Sequence, residues 1–169
     1  INKISCLLIG LMGLPMAKNR LKSSYGLKVF NIPPNKAYIL NSFGAALSLT
    51  LSYVVKELSL VIPLLTASSA ISSLMDPSNF LENLKSGATV IDMSSVKPTT
   101  AVKHGNNLKS KNINYLDAPV SGGTIGAEEA SLAIMAGGEQ NVFNEALDVL
   151  KTMGNPTLVG PVGSGQVSK

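Results

Sequence analysis

At 169 residues, 45% of them hydrophobic and 14% charged, the chain is long and apolar enough to bury a core, which excludes a disordered polypeptide. Its net charge of +4 comes from 14 basic residues, all lysine except Arg20, scattered without a block; that balance suits a small anionic ligand and leaves no arginine-rich, aromatic-interleaved face for nucleic acid. Cys6 is the only cysteine, which excludes an intrachain disulfide and a CxxC metal site and fits a reducing, cytoplasmic setting.

Short apolar runs alternate with longer segments of helical periodicity, the pattern of an α/β fold on a mainly parallel sheet. The first run, Lys3–Ile9, carries Cys6 as a buried thiol and ends at a turn with Gly10 and Gly13, after which a helix begins near Pro15. In a strand–turn–helix of this kind, backbone N–H groups at the helix start cradle a pyrophosphate, and Gly10 and Gly13 have the spacing of the second and third glycines of such a turn. Leu8 holds the place of the first, where a positive φ would cost a leucine about 1–2 kcal/mol.

The next strand, Leu27–Asn31, leads into Ile32 and Pro33, with Lys36 beyond. No acidic residue precedes Glu57, so no carboxylate stands there to grip a ribose 2′-hydroxyl. Lys36 can instead meet a 2′-phosphate, which favours NADP over NAD; its plainer reading is a solvated surface charge. Further strands are expected at Ala45–Leu47, Leu58–Leu64, Thr89–Met93, Asn114–Ala118, Leu132–Ala136 and Thr157–Val159. Between Ala37 and Met75 only Lys56 and Glu57 are charged, a spacing compatible with membrane spans. Ser, Thr and Asn crowd both flanks, however, and Pro63 interrupts the most apolar part, so strands of a sheet covered on both faces are the better reading. No signal peptide and no membrane partner are expected.

A helix is expected from Pro98 to Lys109, with Ser95 before it as cap and a proline tolerated in the first turn. His104, in its middle and without an acid or cysteine nearby in sequence, reads as a surface residue. A second helix, Gln140–Met153, follows from the spacing of Val142, Phe143, Ala146, Leu147, Leu150 and Met153, and Gly154 and Pro156 stop it.

Ligands of such folds sit at the carboxyl ends of the strands, so the loops there are the candidate site. DMSSVKPTT (Asp92–Thr100) supplies hydroxyls at a helix start. DAPVSGG (Asp117–Gly123) offers Ser121 with the successive backbone N–H groups of Gly122 and Gly123, a nest suited to a carboxylate. GPVGSGQVSK (Gly160–Lys169) is expected to be flexible and ends on a lysine. Each has a plainer reading, since serine caps helices and glycine makes turns.

Together these loops resemble the β-hydroxyacid dehydrogenase family, which takes in 3-hydroxyisobutyrate dehydrogenase, tartronate semialdehyde reductase and, more distantly, 6-phosphogluconate dehydrogenase. The likeness runs over essentially all of residues 1–169 as one NAD(P)-binding domain, and DAPVSGGTIGAEEASLAIMAGG is its most specific segment. LLIGLMGLPMAKN is similar to the family's cofactor turn with Leu8 for the first glycine, which implies cofactor contacts from Gly10, Leu11, Met12 and Gly13. VFNIPPNK is similar to the loop after the second strand, implying Asn31, Ile32 and Lys36, with Ile32 where NADP-using members often carry Arg. Leu64, Leu65 and Thr66 stand where the family has a Met-Leu-Pro turn beside the nicotinamide.

The resemblance further implies Ser95 near the nicotinamide ribose, Ser121, Gly122 and Gly123 around the substrate carboxylate, and Lys169 as the catalytic lysine of a GxGxxxK motif. Such a lysine gives a proton to the carbonyl oxygen as hydride arrives, or takes one from the hydroxyl in reverse. A Rossmann-like, doubly wound sheet with helices on both faces is implied, with short β-hydroxy acids or their semialdehydes as substrates and a homo-oligomeric parent protein. Family members continue past the lysine into a long helix, an asparagine one turn on, and an all-helical second domain absent from this sequence. The isolated domain is therefore expected to be inactive, its substrate open to water. The alternative is a non-catalytic Rossmann domain that binds dinucleotide weakly or not at all, since the departures at Leu8, Ile32 and Thr66 all fall in cofactor loops.

Overall fold

Residues 5–8, 12–23, 26–30, 35–47, 58–65, 71, 75 and 83–169 are described by the structure, a computed structural model. The apolar runs form strands β1 (Ser5–Leu8), β2 (Leu27–Phe30), β3 (Ala46–Leu47), β4 (Leu60–Pro63), β5 (Thr89–Asp92), β6 (Asn114–Asp117), β7 (Val120–Ser121), β8 (Leu132–Gly137) and β9 (Gly154–Gly160). Between them lie the helices α1 (Gly13–Lys22), α2 (Asn35–Asn41), α3 (Pro98–Lys109), α4 (Gly123–Glu128), α5 (Gln140–Lys151) and α6 (Ser164–Ser168). Among the described residues no helix is long and apolar enough to cross a membrane.

The strands build one sheet in the order β3-β2-β1-β4-β5-β6-β8-β7, with β9 on β8. β1 lies between β2 and β4 and runs parallel to both, so the chain winds outward to β3 and then returns on the other side of β1. That reversal is the topological switch point of an open α/β sheet, where a crevice forms beyond the carboxyl ends of the strands. β4 and β5 are buried along their whole length, which is why both read as unbroken apolar runs.

Alternate residues of the central strands feed two cores. Leu60, Ile62, Ile91 and Leu116 pack with Met16 and Ala17 of α1, Leu40 of α2 and Val142, Ala146 and Leu150 of α5. Val61, Val90 and Tyr115 point the other way, into a cluster with Ala101 and Leu108 of α3. Helices therefore cover both faces, as a doubly wound fold requires.

Beyond β6 the structure departs from the alternating pattern. β8 runs antiparallel to β6 and β7 and pairs Asp117 with Gly137, Val120 with Ile134 and Ser121 with Ala133. Those three pairs share one register, so β6 and β7 are two parts of a single line of chain interrupted at residues 118–119. Pro119 has no N–H to give the ladder, yet its carbonyl still accepts from Met135 N at 3.1 Å.

The last strand is longer than the sequence suggests: α5 already stops at Lys151, β9 spans Gly154–Gly160, and Gly154 and Pro156, expected to stop the helix, are the first and third residues of that strand. Its end and the residues beyond were expected to be flexible. They instead continue from β9 into α6, which packs on β8, β9 and α3. Gly165 makes that docking possible, because a Cβ there would press on the backbone oxygens of Met135 and Asp117.

Candidate functional site

The loops after β1, β4, β5 and β7 open on one cavity of about 400 Å³. Met12, Leu64, Leu65, Met93 and Val120 form its apolar wall; Ser94, Ser95, Ser121, Gly122, Gly123 and Lys169 complete it with polar groups. Lys169 Nζ donates to Ser95 Oγ. Residues named from separate stretches of sequence as cofactor, substrate and proton-transfer groups thus share one space: Met12, Leu64, Leu65, Ser95, Ser121, Gly122, Gly123 and Lys169.

Of the other named residues, Gly13 is buried at the start of α1. Lys36 lies in α2, its side chain outside the described residues. Gly10, Leu11, Asn31, Ile32 and Thr66 lie outside them altogether, as does the side chain of Cys6. Leu8 is the last residue of β1, in register with Phe30 on one side and Pro63 on the other. Its backbone is extended, a conformation any residue adopts, so the positive-φ cost considered for a leucine there does not arise.

Gly122 and Gly123 have φ of +134° and +63°, the region in which glycine alone is unstrained. They turn the chain out of β7 into α4, where Gly126 N donates to Gly122 O at 3.0 Å. The far end of α4 is tied to α1: Asn19 Nδ2 donates to the carbonyls of Ala127 at 2.8 Å and Glu128 at 3.2 Å. The helix behind the glycine turn is therefore braced against the helix that leaves β1.

Behind the cavity is a set of polar groups that sequence reasoning missed. Asp92 and Asp117 end β5 and β6, and both are fully buried. Asp92 Oδ1 accepts from Ser94 N at 2.9 Å and Oδ2 from the Tyr115 hydroxyl at 3.1 Å. Burial pushes the Asp92 carboxyl up to about 6, against the pull of the bonds from Ser94 and Tyr115. Burial also raises Asp117, opposed by backbone N–H groups of Gly163 and Gln166. Ser94 in turn accepts from Leu65 N at 3.0 Å, so the two loops on this side of the cavity are joined.

His104 corrects the surface reading. It is only 5% exposed, its Nδ1 stands 3.9 Å from Asp92 Oδ2, and its ring meets Tyr115 edge-on. Burial lowers its pKa, with Lys103 acting in the same direction. The signal was in the sequence: Ala101, His104, Gly105 and Leu108 recur at helical spacing and are the buried face of α3. Ser95 also differs from its expected role as a cap. Lys97 is the N-cap of α3, without a side-chain cap bond, and Ser95 turns to Lys169 instead.

The buried acids had a signal too. TVID and NYLD each end an apolar run on an aspartate, and a fully buried carboxylate is seldom found without partners.

Comparison with known proteins gives a consistent family. The model of the NAD binding domain of 6-phosphogluconate dehydrogenase matches residues 3–163. The chain is 36% identical over 163 residues to the NAD-dependent L-serine dehydrogenase of Pseudomonas aeruginosa, covering 95% of this chain and 55% of that one. It is 33% identical over 169 residues to the 2-hydroxy-3-oxopropionate reductase of Escherichia coli, covering 99% and 58%. A solved structure of Mycobacterium tuberculosis 3-hydroxyisobutyrate dehydrogenase with L-serine matches with a TM-score of 0.94 at 28% identity, over 99% of this chain and 58% of that one. The chain thus spans a little over half the length of these relatives.

Proposed function

Since the chain belongs to the family of the NAD binding domain of 6-phosphogluconate dehydrogenase, we propose that its cavity is the nicotinamide and substrate end of an oxidoreductase of short β-hydroxy acids or their semialdehydes. The observation that carries this reading is the convergence of Met12, Leu64, Leu65, Ser95, Ser121, Gly122, Gly123 and Lys169 on one space from loops far apart in sequence. The residues fit the group: the wall of Met12, Leu64, Leu65 and Met93 suits a flat ring, and Ser95 and Lys169 suit its polar neighbours. When bound, the nicotinamide supplies or accepts the hydride.

The chain's own groups do the rest. Gly122 and Gly123, which turn the chain at positive φ directly after Ser121, offer successive backbone N–H groups to the substrate carboxylate together with the Ser121 hydroxyl. Lys169 Nζ moves the proton, giving it to the carbonyl oxygen in reduction and taking it from the hydroxyl in oxidation. Ser95 holds that ammonium at the cavity between turnovers. The segment after β2 carries no carboxylate and places Lys36 at the start of α2, which favours NADP over NAD.

Ser95, Ser121 and Lys169 are exposed, so these residues do not keep water from the reacting atoms, and the domain alone is expected to turn over little. Calorimetric titration with NADPH and NADH tests the reading. Tighter binding of NADPH supports it in full, and tighter NADH would reverse the cofactor preference. Binding of neither would favour a non-catalytic Rossmann domain. Reduction of a semialdehyde by the isolated chain would refute the expected inactivity.

A further inference from the structure

Lysine is a flexible four-carbon stem, and its ammonium is only as well placed as the backbone that carries it. In this chain that backbone is held by two residues outside the cavity. The Asp117 carboxylate accepts the backbone N–H of Gly163 at 2.7 Å through Oδ1 and that of Gln166 at 2.9 Å through Oδ2, which fixes the start of α6 against the end of β6. The Gln166 side chain then reaches across to the loop after β5. Its Nε2 donates to Ser94 O at 2.8 Å, and its Oε1 accepts from Val96 N at 3.1 Å.

Both halves of the amide are used, and they are used on the two residues that flank Ser95. Gln166 bridges the loop much as a neighbouring strand would, one donor and one acceptor in place. Three residues further on, on the same side of the helix, Lys169 donates to the Ser95 hydroxyl between those two anchor points. The side-chain chemistry is specific. A glutamate would present two acceptors where Ser94 O needs a donor, and an apolar side chain of equal length would satisfy neither group.

We propose that Gln166, seated by Asp117, is the positioning residue for Lys169: it sets α6 in register on the loop of Ser94, Ser95 and Val96 so that the lysine ammonium stands at the cavity. The meaning of this placement for catalysis rests on the reading of Lys169 as the proton-transfer group; the geometry does not. Had Gln166 only a stabilising role, its loss would lower the melting temperature and leave the Lys169–Ser95 contact in place below that temperature.

The test is an NMR comparison of the chain with its Gln166→Met variant, in which side-chain length and helix-forming tendency are kept. The nuclear Overhauser cross-peak between the Lys169 ε protons and the Ser95 β protons is read alongside thermal melting. The expected result is a clear cross-peak in the parent chain and a fall of about fivefold or more in the variant at a temperature where both are folded, because both side-chain hydrogen bonds of Gln166 are lost. A cross-peak of undiminished intensity in the variant, or none in the parent chain, overturns the proposal. Should Gln166→Met fail to fold, Gln166→Glu at neutral pH carries the same comparison. Titrating the same samples with NADPH separates the two claims: a parent chain that binds no dinucleotide sinks the functional reading, while the cross-peak still decides the role of Gln166.

Discussion

Asp92 and Asp117 stand side by side, paired in register at the ends of neighbouring parallel strands, and neither is exposed to water. Two like charges in that position are separated by giving each its own partners: Ser94 N–H and the Tyr115 hydroxyl for Asp92, the N–H groups of Gly163 and Gln166 for Asp117. For Asp92 burial still wins, holding the carboxyl at about 6 in place of 3.8, with Asp117 adding to the rise. The folded protein therefore binds a proton that the unfolded chain releases, and stability falls as pH rises from about 4 to about 6. The full difference corresponds to about 3 kcal/mol. His104 acts in the opposite sense, because its lowered pKa makes folding release a proton and stability rise with pH up to 6.5. Urea unfolding across this range should show the falling component reduced in Asp92→Asn to the part that Asp117, also raised by burial, supplies; the amide of that variant can still accept from Ser94 N while Tyr115 turns to accept from it. An unchanged pH profile in that variant would contradict the assignment.

Gly165→Ala should cost about 1–3 kcal/mol in urea unfolding, the usual range for forcing atoms into a packed site. The added methyl meets the backbone oxygens of Met135 and Asp117, and backbone cannot swing aside as a side chain does. Exposed alanine substitutions gain helix propensity over glycine, so a stabilised Gly165→Ala protein would mean that α6 does not dock as described.

Leu8→Gly should not tighten dinucleotide binding. The position is extended and paired on both sides, so glycine relieves no strain there. A stability loss of at least about 0.5–1 kcal/mol is expected instead, the part that comes from the greater freedom of glycine in the unfolded chain. Calorimetry on parent and variant checks this, and a marked gain in NADPH affinity would show that the leucine does obstruct the turn.

Gly122→Ala should weaken binding of a small carboxylate and cost about 1–3 kcal/mol of stability, because a φ of +134° is strained for any residue with a Cβ. The new methyl would also lie 3.1 Å from Leu132 Cδ2. NADPH affinity should change little, since the turn holds the substrate carboxylate on the proposed reading. Equal losses for both ligands would place the glycine turn in the cofactor site.

Much of this was readable from residue order. The central strands announced themselves because both their faces are buried, and the glycine and serine loops because few other residues make such turns. What was missed depends on partners distant in sequence. Gly163 and Gly165 argue against a helix locally, yet α6 forms because Asp117, 46 residues before Gly163, accepts the N–H at its start. For His104 chemical type is the poorer guide, and its place in the periodic face of Ala101 and Leu108 is the better one. β7 is two residues long and exists only by continuing the pairing of β6 with β8, a relationship no local pattern encodes.

That continuation has a consequence for substrate choice. Asp117, which seats the helix of the lysine, and Ser121, which opens the carboxylate turn, lie on one line of extended chain, four residues or about 13 Å apart. Their separation is a backbone length clamped by β8, and no side-chain rotation alters it. On the proposed reading the carboxylate turn and the seat of the lysine's helix are held at a fixed backbone spacing, which limits, within the reach of the Lys169 stem, how many bonds lie between a carboxylate and the oxygen that exchanges a proton. Rates across a series of hydroxy acids of stepped length would peak at one spacing, whatever group the substrate carries in between.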